Sequence, residues 1–215
     1  LIFSLLLFLT SLSAQRAADF GIGLSFGHSN LRKGNSDITS NFSDVDTKSG
    51  LGFGLEVVAS LPIANRFYLT TTPSILFQQQ QVVFSYPGYG ATELEDVQVA
   101  SVVLPLKAEL RSQSGKFRPG ISGGLGLIVD LSHSDEANLQ TEKITSFWEI
   151  TAGVEIPIDL VKQNRSITFR PEIFTRRGIG RTVRGVGDNI YNQSLGDATW
   201  SYVGLRFLFY GKGRG

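Results

Sequence analysis

Asp19-Phe-Gly-Ile-Gly-Leu-Ser-Phe-Gly-His-Ser29 is the stretch on which the fold turns. Phe20, Ile22, Leu24 and Phe26 share one face, while Gly21, Gly23, Ser25 and Gly27 share the other. Strict period-two alternation marks a β-strand whose two faces meet different surroundings. Working outward, the same rhythm recurs at 50–61, 67–84, 97–111, 116–131, 146–158, 165–177 and 198–210. The gaps between these segments alternate long and short. Long loops at one end and tight turns at the other are the pattern of a barrel that crosses a membrane. The sequence therefore predicts an all-β chain, an eight-stranded antiparallel up-and-down transmembrane β-barrel.

An even strand count brings both ends of the barrel to the periplasmic side. The long segments near 30–49, 85–96, 132–145 and 178–197 are then extracellular. Phe84, Tyr86, Trp148 and Trp200 are expected in an outer aromatic girdle, and Phe67, Tyr68, Phe117, Phe207, Phe209 and Tyr210 in an inner one. No helix-period segment of useful length stands out. No linker or composition shift divides residues 16–215, which read as one barrel domain.

Leu1 to Thr10 is an apolar run, followed by the small residues Ser11, Ser13 and Ala14. It reads as a signal peptide over 1–15 without its basic n-region, too short to span a bilayer as a helix. The chain has no cysteine, which excludes disulfides, thiolate metal sites and cysteine nucleophiles. A net charge of +1 offers no electrostatic footprint for nucleic acid. The mean hydropathy, +0.04, is what one apolar face and one polar face average to.

If the apolar face meets lipid, the other face turns inward. The inward list is Glu56, Glu109, Glu149, Glu155 and Glu172 with Lys107, Arg111, Arg118, Arg170, Arg176 and Arg206. An eight-stranded barrel has an interior that side chains just fill. Charges buried there must pair or suffer a large desolvation cost. The expectation is an interlocked structural network that plugs the lumen, with Gly52, Gly54, Gly120, Gly124, Gly126, Gly153 and Gly204 making room for the arginines. Paired glutamates can also do acid–base work, but each inward acid has an inward base on a neighbouring strand.

Other candidate chemistry is thinner. Ser43-Asp44-Val-Asp46 and Glu93-Leu-Glu95-Asp96 are acidic and could take Ca²⁺ weakly, yet neither has a full ligand spacing. Gly178-Ile-Gly-Arg181 and Arg184-Gly-Val-Gly187, with Arg176 and Arg177, make a basic patch suited to anionic headgroups or polysaccharide. His28-Ser29 resembles the His–Ser pairing of outer-membrane lipid A deacylases, in which one residue separates the two. Adjacent strand residues point to opposite faces, so here base and nucleophile are badly placed. His133-Ser134-Asp135 falls in a polar loop.

Val103-Leu-Pro-Leu-Lys-Ala-Glu-Leu-Arg111 followed by Gly115-Lys-Phe-Arg-Pro-Gly-Ile-Ser-Gly-Gly-Leu-Gly126 resembles the central signature of the PorT-like outer-membrane β-barrel family, often called porin family proteins. Phe169-Arg-Pro-Glu-Ile-Phe-Thr-Arg-Arg-Gly178 and the amphipathic segment after it are similar too. The resemblance implies a monomeric barrel of the bacterial outer membrane with no catalytic residue; some members are accessories in protein secretion. The last strand departs from the pattern, since Phe209-Tyr210 is followed by Gly211 to Gly215. The combined expectation is a non-enzymatic structural or interaction barrel without cofactor or metal. Its partners would be outer-membrane lipid, lipopolysaccharide, and envelope or secretion proteins. A small lipid-modifying enzyme and a narrow channel stand as alternatives.

Overall fold

The computed structural model describes residues 18–33, 41–88, 92–132, 138–160, 165–184 and 189–212. The segment read as a signal peptide and the His133-Ser134-Asp135 loop lie outside the described residues.

Among the described residues, twelve strands and one short helix follow in order: β1 Asp19–Lys33, β2 Asp44–Lys48, β3 Gly50–Pro62, β4 Phe67–Thr71, β5 Ser74–Gln78, β6 Gln81–Ser85, β7 Thr92–Asp96, β8 Ala100–Arg111, β9 Arg118–Asp130, β10 Ile144–Leu160, β11 Arg165–Gly178, α1 Ile190–Leu195 and β12 Ala198–Lys212. The barrel wall runs β1-β12-β11-β10-β9-β8-(β4, β5)-β3 and back to β1, every pairing antiparallel. It is a closed eight-stranded barrel. The third stave is split into β4 and β5 at Thr72-Pro73, where proline cannot donate to a ladder; the ladder is still held there by Val57 N donating to Pro73 O at 2.9 Å. The closing seam pairs β1 with β12 from Asp19 opposite Lys212 to Lys33 opposite Ala198.

The wall is inside out relative to a water-soluble barrel. Phe20, Ile22, Leu24 and Phe26 of β1 are exposed, as are Leu51, Leu55, Leu106, Leu125, Ile173 and Leu205 around the ring. The alternate residues are buried, and most of them are charged, polar or small. That excludes a ligand-carrying barrel with an apolar interior.

Three segments read as loops contain regular structure. β1 continues to Lys33 rather than stopping at Ser29. The segment after it contains β2, and the Ser85–Asp96 segment contains β7. The end of the third stave, expected as one strand through Phe84, breaks after Gln78 and resumes as β6. β2, β6 and β7 form a second, three-stranded sheet above the wall. The fourth long segment contains α1, although no helical period was legible there. Asn189 caps α1, its side-chain oxygen accepting from the backbone of Tyr191 at 2.9 Å and Asn192 at 3.2 Å.

Candidate functional site

Inward-facing residues fill the lumen in layers. Nearest the short-turn end, β8 carries Glu109 and Arg111 to the mouth. Arg111 grips Glu109 with two parallel bonds, Nε to Oε1 at 2.9 Å and Nη2 to Oε2 at 3.0 Å. Its Nε also lies 2.7 Å from Glu155 Oε1, and its Nη1 lies 3.5 Å from Asp19 Oδ2. The guanidinium stacks over the Tyr68 ring at 4.0 Å, a cation–π contact. Thr70 Oγ1 donates to Glu109 at 2.8 Å, and Tyr210 donates its hydroxyl to Glu155. Arg170 reaches Glu109 from the opposite side of the lumen.

Arg170 Nε also lies 2.6 Å from Glu172 Oε1, joining this layer to the next. There Glu149 is the hub. It accepts from Lys107 Nζ at 2.8 Å, Arg176 Nε at 2.7 Å and Arg206 Nη1 at 3.1 Å. Arg206 Nη1 reaches Glu172 at 3.0 Å, and its Nε lies 2.6 Å from Glu56 Oε2, an ion pair without hydrogen-bond alignment. Arg176 approaches Glu56 at 3.8 Å. Lys107, Glu149, Arg176 and Arg206 are all at most 1 % exposed, so these ions are held by each other and not by water.

Of the residues expected in the network, ten are joined in this way. Arg118 is not. It lies half-buried at the mouth, with Nε 3.4 Å from Gly115 O, because it is the first residue of β9 and the wall ends there. Asp19, on the inward parity at the first residue of β1, was absent from the inward list. The glycines divide differently from expectation. A Cβ on Gly120 or Gly153 would press on Arg170, at 3.4 Å and 3.3 Å, so those two do accommodate an arginine. Gly52 and Gly204 instead admit the Tyr202 ring, Gly126 admits Phe147, and Gly124 is closed by the backbone of Leu106.

Above the ions sits an aromatic layer of Phe147, Phe174, Trp200 and Tyr202, packed with Leu76, Val103 and Ile128. The Phe174 ring lies under both Arg206 and Arg176, at 4.3 and 4.7 Å. Trp200 Nε1 donates to Ser29 Oγ at 3.0 Å and Gln78 Oε1 at 3.1 Å. Trp200 is therefore in the lumen, not in an outer girdle. Tyr68 and Tyr210 likewise turn into the mouth rather than joining an inner girdle. Phe67, Phe117 and Phe209 do face outward.

The three-stranded sheet and α1 close the far end. Phe42, Val45, Val82, Phe84, Val97, Leu139, Val183 and Leu195 form one buried cluster there, with Leu31 and Ala198 from the wall and with Tyr86 and Tyr191 against it. Phe84 and Tyr86 thus belong to this cap and not to a girdle. Asn192 ties three segments together. Its Oδ1 accepts from Gln140 N at 3.0 Å and its Nδ2 donates to Gln140 O at 2.8 Å and Arg184 O at 3.1 Å.

The acidic segments are consumed by the cap. Glu93 accepts from Tyr86 at 2.5 Å, Tyr191 at 2.9 Å and Asn138 at 2.9 Å. The Tyr86 hydroxyl, more than any other neighbour, holds the Glu93 carboxyl below its ordinary range, while the bond between the Tyr86 and Tyr191 hydroxyls, ahead of burial and of Glu93, pushes the Tyr191 hydroxyl up. Asp96 accepts from Gln81 at 3.0 Å, while Asp44 and Asp46 accept from the next backbone N–H. No metal-binding cluster of acids and histidines occurs among the described residues. The basic patch is divided. Arg176 points into the lumen, Arg181 pairs with Asp197 at 3.0 Å, and Arg184 pairs with Glu142. His28 faces outward and Ser29 inward, so they form no catalytic pair.

No family model matches the chain, and no curated protein matches it. Among solved structures, the crystal structure of the outer membrane protein OprG from Pseudomonas aeruginosa is similar, with a TM-score of 0.51 and 12% sequence identity over 92% of this chain and 96% of that one. The similarity is one of fold: a closed eight-stranded antiparallel barrel.

Proposed function

We propose that this chain is an integral barrel of the bacterial outer membrane that acts through its surface and its cap, as a monomeric structural or interaction module, and neither conducts nor catalyses. The carrying observation is the threefold occlusion of the lumen by the ion-pair layers, the aromatic layer and the packed cap. The exposed apolar wall supports membrane residence, since a soluble monomer rarely carries so large an apolar surface. The Val103–Arg111 and Gly115–Gly126 motifs support placement among the PorT-like barrels, and with it a role as accessory to secretion or envelope maintenance. The cap and the lipid-facing wall are the surfaces available to lipopolysaccharide and envelope proteins. The lipid-modifying alternative draws no support from His28, whose neighbour Ser29 donates nothing toward it and instead takes the Trp200 N–H.

Planar-bilayer recording of the refolded protein in molar KCl tests the reading. Silent bilayers, from protein that shifts on a gel upon boiling, are the expected result. Discrete, reproducible conductance steps would instead establish a channel.

A further inference from the structure

The outward face of the wall is not uniform. Along β8 and β9 it carries large apolar residues except at Ala108, which sits directly opposite Gly123. The missing side chains leave a groove floored by those two and walled by Phe67, Leu110, Ile121 and Ile150. Gly123 is not small to relieve crowding. A Cβ there would meet only Glu149 O, at 3.8 Å, and its φ is not in the left-handed region. The groove is therefore a property of the surface, not a requirement of the fold.

Leu110 and Ile121, paired directly across β8 and β9, also line a second depression, at the short-turn end, with Arg66, Ser112 and Pro119. Arg66 is fixed at the backbone, where its carbonyl accepts from Arg111 N at 2.9 Å. Its exposed guanidinium meets no carboxylate among the described residues, unlike the five buried cations of the lumen. An apolar depression thus lies next to one that holds an uncommitted cation at the level of the turns, the two sharing Leu110 and Ile121. Arginine is suited to a phosphate by its planar set of donors.

We propose that this groove is a binding site for one glycerophospholipid of the leaflet at the short-turn end, with an acyl chain over Ala108 and Gly123 and its phosphate on Arg66. The site rests on the reading of the wall as membrane-embedded. The charge at one end favours a phospholipid over a second copy of the barrel, whose matching surface would present the same arginine. Lipopolysaccharide, headed at the cap end, would place its phosphates at the wrong end of the slot.

The test uses the full chain in nanodiscs of phosphatidylethanolamine and phosphatidylglycerol, released into the gas phase for native mass spectrometry. Wild type is expected to retain one phospholipid per barrel. Gly123→Leu fills the slot and should lower that retained fraction at least fivefold. Arg66→Glu, at an exposed turn, should lower it as well and should select against phosphatidylglycerol. Equal retention in wild type and both variants overturns the site. A dimer in wild type that Gly123→Leu makes monomeric overturns it in favour of self-association. Should Gly123→Leu fail to show a boiling-dependent gel shift, Ala108→Leu and Arg66→Glu carry the test. A chain that never enters the nanodisc at all refutes the membrane reading, and so fails in a distinguishable way.

Discussion

The barrel and its cap are built on opposite rules from one chain. In the barrel the apolar residues face out and eleven ionised groups, counting Asp19, fill the interior. In the cap the apolar residues face in, around Phe42 and Phe84, and the carboxylates lie on the outside. In the membrane reading proposed above, what differs is the solvent. Lipid offers no hydrogen bonds, so the wall would present it chiefly apolar side chains while the paired charges turn inward. Water would surround the cap, which hides its rings in the ordinary way. The comparison teaches that one boundary, near Leu31 and Ala198, separates two packing regimes, since both wall residues already belong to the cap's core.

The comparison is broken most severely at Arg206, which meets Glu56, Glu149 and Glu172 at once. Arg206→Ala takes one cation from three buried carboxylates and leaves Glu56 with only Arg176, at 3.8 Å, and the expected loss is about 5 kcal/mol, the upper end for a broken buried pair. Urea unfolding followed by the loss of the gel shift reads this directly. A midpoint within error of wild type would refute the network's structural role.

Phe84→Ala is the matching cut in the cap. Removing a fully buried ring there should cost about 3 kcal/mol and open the cap while the barrel keeps its gel shift. Protease sensitivity confined to the 81–96 region, with an intact wall, is the expected pattern. Collapse of both together would show that the two regimes fold as one unit.

The mildest prediction concerns pH. Glu93 is held below its ordinary carboxylate value in the folded cap, so the ionised form favours folding. The contribution is present in full above the unfolded value and is lost as pH falls through the lower folded one. Hydrogen-exchange protection around Tyr86 and Tyr191, taken relative to the intrinsic exchange rate, should therefore fall below about pH 4, and Glu93→Gln should remove that acid dependence. Because the carboxylate is not deeply buried, the effect is expected to be small.

The barrel was legible because each stave repeats one signal over ten residues or more. The cap was not, because its strands are five residues long and its core arrives as single apolar residues from distant segments. Phe42, Val82, Leu139 and Leu195 carry no shared period. Trp200 is a different kind of miss. It lies on the parity of Tyr202, Gly204 and Arg206, so alternation alone turns it inward. Its identity as an aromatic near a strand end suggested a girdle, and parity was the stronger rule. Phe174, between Glu172 and Arg176 on the inward parity, repeats the lesson: rings enter a charged lumen as faces for guanidinium groups. Among the lumenal ions only the margins were misread, at Asp19 and Arg118, each the first residue of its strand, where the alternation has only just begun.

The seam between β1 and β12 carries a consequence in time. It joins Asp19 to Lys212, nearly the whole described chain apart, through the last of the described strands. Every other pairing in the wall joins staves that follow one another along the chain, and can form as soon as its two staves exist. The seam cannot, and contacts of such long separation close slowly. Until it closes, two sheet edges and a half-exposed row of charges must be kept from other partners. Closure at this seam is therefore expected to be the slow step in the assembly of the wall.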